Sequence, residues 1–190
     1  MQHTKTEIRE RLLDAALYEF TAYGYDKANL RRIVNNADSS LGNLYRYYKN
    51  KEALYSAIVN PMIEVCVNKI ALISFSAEKL TETAEVMIDF FIDRNQIFAV
   101  LQKGPYAYYN NFLLRLANAI AINVQAYVAG KLDGKVNNIT NPDFNQVFAW
   151  SFINGMQRIM EHFVSKEITT KYIEELLFVM FDGLEDRLSR

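Results

Sequence analysis

Residues 29–51 read Asn-Leu-Arg-Arg-Ile-Val-Asn-Asn-Ala-Asp-Ser-Ser-Leu-Gly-Asn-Leu-Tyr-Arg-Tyr-Tyr-Lys-Asn-Lys, and this stretch decides the fold. It predicts two short helices joined by a polar turn at Ala37-Asp38-Ser39. Asn29 and Ser40 are good N-caps, because each side chain can accept a hydrogen bond from a backbone N–H of the first turn. Aromatic and cationic side chains crowd the second helix. Such a helix suits a DNA groove, where phosphates attract cations and base edges need reach and apolar contact.

Charge is distributed unevenly along the chain, although the net charge is only −1 over 190 residues. Between Lys27 and Lys51 six basic residues stand against one acidic residue, Asp38, which gives a local charge of +5. A segment of this kind prefers a polyanion as its partner. The alternative is a solvated helix face with a chance run of charge.

Upstream of this stretch, residues 4–23 predict an amphipathic helix. Thr4 and Glu7 form a capping-box pattern at its start, and Gly24 is placed to end it. Its apolar residues recur at helical spacing: Ile8, Leu12, Ala15, Ala16 and Phe20.

Downstream, Asn50 caps a fourth helix, and from there the chain shows only helical periodicity, with weak strand signals. Pro61 falls inside the fourth helix, where it predicts a kink or a break. The predicted helices cover roughly 51–75, 79–93, 96–103, 106–130, 142–164 and 170–188. The prediction is therefore an all-α fold.

The composition leaves little room for catalysis. His3 and His162 are the only histidines, and Cys66 is the single cysteine. Because a metal site needs three or four ligands and a nucleophile needs a positioned base, we predict no catalytic residue, metal or cofactor. A single cysteine and a polar Met1–Arg11 segment favour a cytoplasmic protein over a secreted one. No run approaches the roughly 20 apolar residues of a membrane span, so no membrane attachment is expected.

Residues 4–59 resemble the TetR/AcrR family of bacterial transcriptional regulators. The resemblance rests on the spacing of Ala15, Ala16, Phe20, Gly24, Tyr25, Ile33, Ala37, Ser40, Gly42, Leu44, Tyr45, Tyr47, Tyr48, Lys51 and Leu54. It implies an N-terminal three-helix helix-turn-helix DNA-binding domain and a C-terminal helical ligand-binding and dimerisation domain. We place the first at 1–50, with the start of the fourth helix to about 59, and the second at 51–190. Ala28-Asn29, Asp38 and Leu41 depart from the usual residues of the family.

The resemblance makes the helix over 40–47 the recognition helix. The glycine matching Gly42 allows close approach to DNA, and the lysine matching Lys51 holds a phosphate. The implied DNA-binding residues are Asn29, Arg31, Ser40, Leu41, Gly42, Asn43, Tyr45, Arg46, Tyr47 and Lys51.

Helical geometry divides the residues of this region further. Leu44 and Tyr48 share one face, so they are expected to anchor the recognition helix and leave Tyr45, Arg46 and Tyr47 for DNA. Without the surrounding pattern, the tyrosines would be read as core residues. Arg31 and Arg32 are adjacent, so their side chains point about 100° apart around the helix axis. We therefore expect them to have different roles and assign the DNA contact to Arg31.

In the C-terminal part the resemblance suggests a cavity for a small apolar or aromatic effector. The candidate lining residues are Met62, Phe91, Tyr109, Phe112, Trp150 and Asn154. An ordinary helical core is the alternative for the aromatic residues. Gly155 and the apolar residues Leu176, Leu177, Met180 and Leu184 predict a homodimer surface on the last two helices, with packing inside one chain as the alternative.

Together these expectations describe a ligand-responsive repressor. It would bind a pseudopalindromic DNA operator as a dimer and be released from the operator by its effector. Two other classes remain open. One is a helical protein-interaction module whose basic patch meets an acidic partner, and the other is a small-molecule-modifying enzyme that uses the aromatic cavity.

Overall fold

The computed structural model describes residues 4–73, 80–93, 95–131, 142–162 and 164–182. All regular structure in these ranges is helical, so the all-α prediction is confirmed. The helices are α1 (Lys5–Lys27), α2 (Leu30–Asn36), α3 (Leu41–Tyr47), α4 (Lys51–Ala71), α5 (Leu80–Asp93), α6 (Asn95–Gln102), α7 (Tyr106–Lys131), α8 (Pro142–Glu161) and α9 (Lys166–Phe181).

The first four helices begin where their capping residues predict. The Thr4 hydroxyl accepts a hydrogen bond from the Glu7 backbone N–H, and the Glu7 carboxylate accepts one from the Thr4 N–H at 2.9 Å. Asn29 and Ser40 are the N-caps of α2 and α3. The Asn50 side chain accepts from the Ala53 N–H at 2.8 Å in the first turn of α4.

Gly24 interrupts α1 rather than ending it. Its φ of 76° and ψ of 168° are not helical, yet the helix resumes and continues to Lys27. The predicted end at Gly24 is therefore a break followed by one further turn. Only glycine adopts such a backbone without strain, because a side chain at this φ clashes with the neighbouring peptide.

The turn between α2 and α3 is a Schellman motif, in which two backbone bonds close the end of a helix. The Ser39 N–H donates to the Val34 carbonyl at 2.8 Å, and the Asp38 N–H donates to the Asn35 carbonyl at 3.1 Å. Asp38 takes the left-handed position with φ 46°. Aspartate is among the few residues other than glycine that adopt this conformation readily.

Pro61 lies inside α4, which runs without a break from Lys51 to Ala71. Proline has no N–H to donate to the preceding turn, so one hydrogen bond of the helix is missing there. Of the two outcomes expected at Pro61, a kink or a break, the break does not occur, and the kink stays a prediction.

The described residues form two compact units. The first comprises Met1–Val65 and Arg94–Asn111, and the second comprises Cys66–Asp93 and Phe112–Arg190. The unit boundaries thus fall inside α4, at the end of α5 and inside α7. Apolar side chains of α1, α2 and α3 build the core of the first unit: Leu12, Ala16, Phe20, Ile33, Val34 and Leu44.

In the second unit α9 packs against α5 and α8. Phe181 makes edge-to-face contacts with Tyr127 of α7 and Phe148 of α8, with ring centroids 5.2 and 5.1 Å apart. A Cβ added to Gly155 would lie 2.9 Å from the Leu176 side chain. The close helix approach at Gly155 therefore involves α9 of the same chain.

One segment of α7, Tyr106–Gly130, is long and apolar enough to cross a membrane, which the sequence inspection missed. Half of its most apolar window is buried inside the protein. The buried residues follow helical spacing and include Phe112, Leu116, Ile120 and Val124. The pattern is that of a core helix, since the opposite face carries exposed Asn118 and Gln125.

Candidate nucleic-acid interface

The recognition helix α3 presents two different faces. Leu44 is fully buried and Tyr48 is 5% exposed, whereas Tyr45 is 52% exposed and Arg46 is also on the surface. The anchor residues inferred from spacing therefore lie in the core, and the side chains of Tyr45 and Arg46 point outward.

Ser40 and Asn43 at the start of α3 already have partners within the chain. The Ser40 hydroxyl accepts from the Asn43 backbone N–H at 3.2 Å, and the Asn43 side-chain amide donates to the Ser39 hydroxyl at 3.4 Å. These bonds organise the first turn of α3. Both side chains retain further hydrogen-bonding capacity for a ligand.

Gly42 is exposed, and a Cβ built there would meet only the Ser40 hydroxyl, at 3.8 Å. Nothing in the described chain requires a glycine at this position. Because a helical glycine costs about 1 kcal/mol relative to alanine, its presence points to something outside the chain that approaches the backbone closely.

Tyr47 is half-buried and holds the start of α1. Its hydroxyl donates to the Lys5 carbonyl at 3.0 Å, and its ring lies 6.3 Å from that of Tyr48. The hydroxyl that was expected to be free for DNA is therefore engaged within the chain.

Lys51 lies at the junction of α1 and α4. Its ammonium donates to the carbonyl oxygens of Asp26 and Ala28, both at 3.2 Å, and lies 4.8 Å from the centre of the Tyr25 ring. An ammonium has three donors, so one remains for a phosphate oxygen. In this structure Lys51 neutralises the carbonyl end of α1.

The two arginines of α2 differ as predicted in direction and in surroundings. Arg31 is exposed, and no hydrogen bond or ion pair engages its guanidinium among the described residues. Arg32 donates to the carboxylate of buried Glu19, and Asn29 caps α2 by accepting from the Arg31 N–H at 2.8 Å. Arg31 and Arg46 are therefore outward cations next to α3, and Lys49 is a third.

This region matches the family model described as bacterial regulatory proteins, tetR family, over residues 12–58. The match covers α1 from Leu12 onward, both helix-turn-helix helices and the start of α4. Over these residues the chain is therefore similar to the tetR family of bacterial regulatory proteins.

Two curated relatives match part of the chain. The chain is 29% identical over 100 residues to the HTH-type transcriptional repressor Rv1474c of Mycobacterium tuberculosis. It is 34% identical over 59 residues to the HTH-type transcriptional regulator YdgC of Bacillus subtilis. These alignments cover 51% and 31% of this chain, but only 52% and 30% of the relatives, so the chain spans about half or less of their length.

Solved structures of bacterial transcriptional regulators match the fold over nearly the whole chain. SmeT, the repressor of the Stenotrophomonas maltophilia multidrug efflux pump SmeDEF, has a TM-score of 0.71 at 17% identity, with 96% of this chain and 93% of SmeT covered. A TetR-family regulator from Mesorhizobium loti has a TM-score of 0.63 at 17% identity, with 94% and 97% covered. These relatives and neighbours are regulators, which confirms the prediction that the chain is not an enzyme.

The first unit, Met1–Val65 with Arg94–Asn111, is called the head below, and it includes the turn between α6 and α7, which sequence reasoning did not assign to it. The Tyr25 N–H donates to the Lys103 carbonyl at 2.9 Å, and the Lys103 ammonium donates to the Thr21 carbonyl at 2.8 Å. A Cβ on Gly24 would lie 3.3 Å from the Lys103 carbonyl oxygen. The only local signal was the Gly104-Pro105 turn itself.

An aromatic cluster packs under this turn. Tyr55 makes edge-to-face contacts with Phe20, Tyr25 and Tyr108, each with ring centroids 5.2 Å apart, and its hydroxyl donates to the Val100 carbonyl at 3.0 Å. Burial raises the pKa of the Tyr55 phenol, and the neighbouring tyrosines Tyr108 and Tyr25 raise it further. A Cβ on Gly104 would overlap the Tyr55 hydroxyl.

The six candidate effector residues are distributed over both units. Met62 and Tyr109 are half-buried in the first unit. In the second unit Phe112 is fully buried, Trp150 is half-buried and Asn154 is exposed on α8. The side chain of Phe91 lies outside the described residues. An effector site at these positions stays a prediction, and the surface position of Asn154 does not favour its role in an enclosed cavity.

Proposed function

We propose that this chain is a ligand-responsive transcriptional repressor that binds a pseudopalindromic operator as a dimer in the cytoplasm. The observation that supports it best is the division of α3 into a buried anchor and an outward face with Gly42, Tyr45 and Arg46. The repressor named among the curated relatives favours repression over activation. We retain the functional division into a DNA-binding domain over 1–50, extending to about 59, and an effector and dimerisation domain over 51–190.

In this proposal α3 lies in the major groove with its backbone at Gly42 close to the DNA. Tyr45 and Leu41 contact bases or sugar, and Arg31 and Arg46 neutralise phosphates. Lys51 adds a phosphate contact through its remaining donor. The side chains of Asn29, Ser40 and Asn43 supply further hydrogen bonds to DNA, whereas Tyr47, whose hydroxyl donates to the Lys5 carbonyl, offers its oxygen only as an acceptor.

The dimer would form through α8 and α9, as the sequence suggested, but with other side chains of α9. Leu177 is fully buried within the chain, and Leu176 covers Gly155. Leu184 lies outside the described residues. The exposed apolar residues of α9 are Ile168, Tyr172, Phe178 and Val179. A second copy would cover them and place two recognition helices about 34–36 Å, or a multiple of that, apart.

Release by a small apolar or aromatic effector would act through α4 and α7, which run from one unit into the other. The bonds between α1 and the α6–α7 turn make the head one body with the start of α7. An effector shifts this equilibrium only if it binds the released state more tightly than the operator-bound state.

The proposal is tested with the DNA upstream of the gene that encodes the chain. We expect a mobility shift of this DNA at a protein concentration at least about tenfold below that for random DNA of equal length, because specific sites bind much more tightly. Arg46→Ala should weaken binding to both DNAs. Equal affinity of the wild-type chain for the two DNAs would contradict sequence-specific regulation and favour the protein-interaction alternative.

A further inference from the structure

Glu19 is a buried carboxylate in the DNA-binding head. It lies on α1, and only 1% of its surface is exposed. A buried carboxylate is costly unless hydrogen bonds and an opposite charge compensate it. The surroundings of Glu19 provide both, and both come from the beginning of α2.

One oxygen of Glu19, Oε1, receives three hydrogen bonds. The backbone N–H of Asn29 donates to it at 2.8 Å, and Arg32 donates through Nε at 2.9 Å and also through Nη2. Asn29 is the N-cap of α2, so Glu19 fixes the backbone immediately before the helix begins. With only seven residues, α2 depends on such tertiary contacts for its stability and position.

Arg32 also contacts groups other than Glu19. Its Nη2 donates to the Lys27 carbonyl at 3.2 Å, and the centre of its guanidinium lies 4.3 Å from the centre of the Tyr23 ring. These contacts engage Nε and Nη2 of Arg32 and leave Nη1 without a partner among the described residues, so the orientation of the guanidinium is fixed by Glu19, Lys27 and Tyr23 before any DNA is bound. The adjacent Arg31, in contrast, is exposed and unengaged among the described residues.

We propose that Glu19 and Arg32 are a positioning pair for DNA binding. The Glu19 carboxylate holds the start of α2 against α1 by accepting from the Asn29 N–H. The Arg32 guanidinium, which lies on α2, donates to the same carboxylate and strengthens this connection between the two helices. The pair thereby leaves Arg31 as the arginine that α2 presents to DNA. This inference rests on the proposed DNA-binding function.

Salt dependence separates a positioning role from a phosphate contact. Arg31→Ala should lower the slope of log affinity against log salt by about 0.9, because one phosphate contact is lost. Arg32→Ala should raise the Kd for the upstream DNA about tenfold and leave the slope unchanged, because no counterion release is lost. A fall of the slope by about 0.9 in Arg32→Ala would overturn the proposal.

Arg32→Ala leaves the buried Glu19 carboxylate without its cation, and the variant could fail to fold. In that event two milder variants test the proposal. Glu19→Gln keeps the shape and an acceptor for the Asn29 N–H, and we expect a Kd about threefold to tenfold higher because the charge-assisted bonds are lost. The double variant Glu19→Leu/Arg32→Leu can retain stability, since apolar residues often replace buried ion pairs without loss. It lacks the acceptor, so its Kd should rise about tenfold despite an unchanged melting temperature.

Wild-type affinity in the double variant would show that the pair only contributes stability and would overturn the proposal. Hydrogen exchange of the Asn29 amide tests the tie without DNA, and the exchange should be slow in the wild type and faster in the double variant. Equal exchange rates would also overturn it. If the wild-type chain shows no preference for the upstream DNA, the proposed function fails, whereas the exchange result still reports on the tie.

Discussion

At the residue scale, Gly24 and Gly42 differ in what requires a glycine at their position. Gly24 is required by the chain itself, because its φ is 76° and the Lys103 carbonyl lies against it. Gly42 has ordinary helical backbone and open space around it, so the chain would accept a side chain there. Sequence inspection singled out both residues, but only the three-dimensional surroundings separate an internal requirement from an external one.

Gly42→Ala should therefore improve stability and impair DNA binding in the same protein. We expect the free energy of unfolding to rise by about 1 kcal/mol, because alanine is the better helix former. The added methyl group would hold DNA away from the α3 backbone and weaken operator binding. Urea unfolding and a mobility shift measure the two effects.

Gly24→Ala is the matched control, and it should lower the free energy of unfolding by about 1 kcal/mol or more, because alanine is strained at a positive φ. If Gly42→Ala bound DNA like the wild type, the close approach of α3 to DNA would be contradicted.

Lys51 has a structural role beside its predicted phosphate contact. Lys51→Ala should lower the salt slope of DNA binding by about 0.9, if its third donor reaches a phosphate. The melting temperature should also fall, because the carbonyl end of α1 loses a cation. Fluorescence anisotropy over a range of salt concentrations measures the slope, with Lys49→Ala as the exposed neighbouring control. An unchanged slope with a lowered melting temperature would leave Lys51 a structural role alone.

At the scale of elements, local signals predicted most of the helices and the caps of the first four. Thr4, Asn29, Ser40 and Asn50 cap the helices they were expected to cap, because capping depends on residues within one turn. The attachment of α6 and the start of α7 to the head escaped prediction. It depends on contacts such as Tyr25 with Lys103, which lie far apart in the sequence and leave no periodic pattern.

The same difference between local patterns and contacts distant in sequence explains which site residues were predicted correctly. The inward direction of Leu44 and Tyr48 follows from helical spacing alone. The engagement of Tyr47 with Lys5 and of Arg32 with Glu19 joins residues of different helices, so the sequence pattern carried no sign of it. A buried glutamate in an amphipathic helix is the one available signal, since its charge interrupts the apolar face beside Phe20.

The tyrosine cluster under the α6–α7 turn predicts sensitivity to alkaline pH. The pKa of Tyr55 is raised in the folded state and is about 10 in the unfolded chain. Its stabilising contribution is therefore complete below about pH 10 and is lost as the pH rises further. Urea unfolding between about pH 8 and pH 11 should show this loss in the wild type.

Tyr55→Phe separates this effect from general alkaline unfolding. At neutral pH it should cost about 1 kcal/mol, because the buried Val100 carbonyl loses its donor. The difference in free energy between the two proteins should then shrink as the pH rises, because phenylalanine does not ionise. A difference independent of pH would contradict the assignment to Tyr55.

At the scale of the whole molecule, the exposed apolar side chains of α9 are the clearest sign of assembly. Tyr172 and Val179 are 51% and 65% exposed, and they lie seven residues apart, on one face of the helix. Contiguous apolar surface of this kind marks interaction sites more often than free surface.

Tyr172→Glu/Val179→Glu should prevent formation of the proposed dimer and leave a monomer of 22.0 kDa. Two charges on each copy would have to be desolvated in the interface, which is costly. Sedimentation velocity measures the mass, and Tyr18→Glu on α1 is a control at a tyrosine that is 64% exposed. If the double variant stayed dimeric, the interface would have to lie on another face.

The apolar character of α7 has a consequence for the newly made chain. Synthesis produces α7 before α8 and α9, whose residues Phe148 and Phe181 belong to the cluster around Tyr127. Until those helices leave the ribosome, a stretch as apolar as a membrane span has no cover from them. A nascent chain halted before α9 would thus be a ready substrate for chaperones and proteases, and complete translation is what protects it.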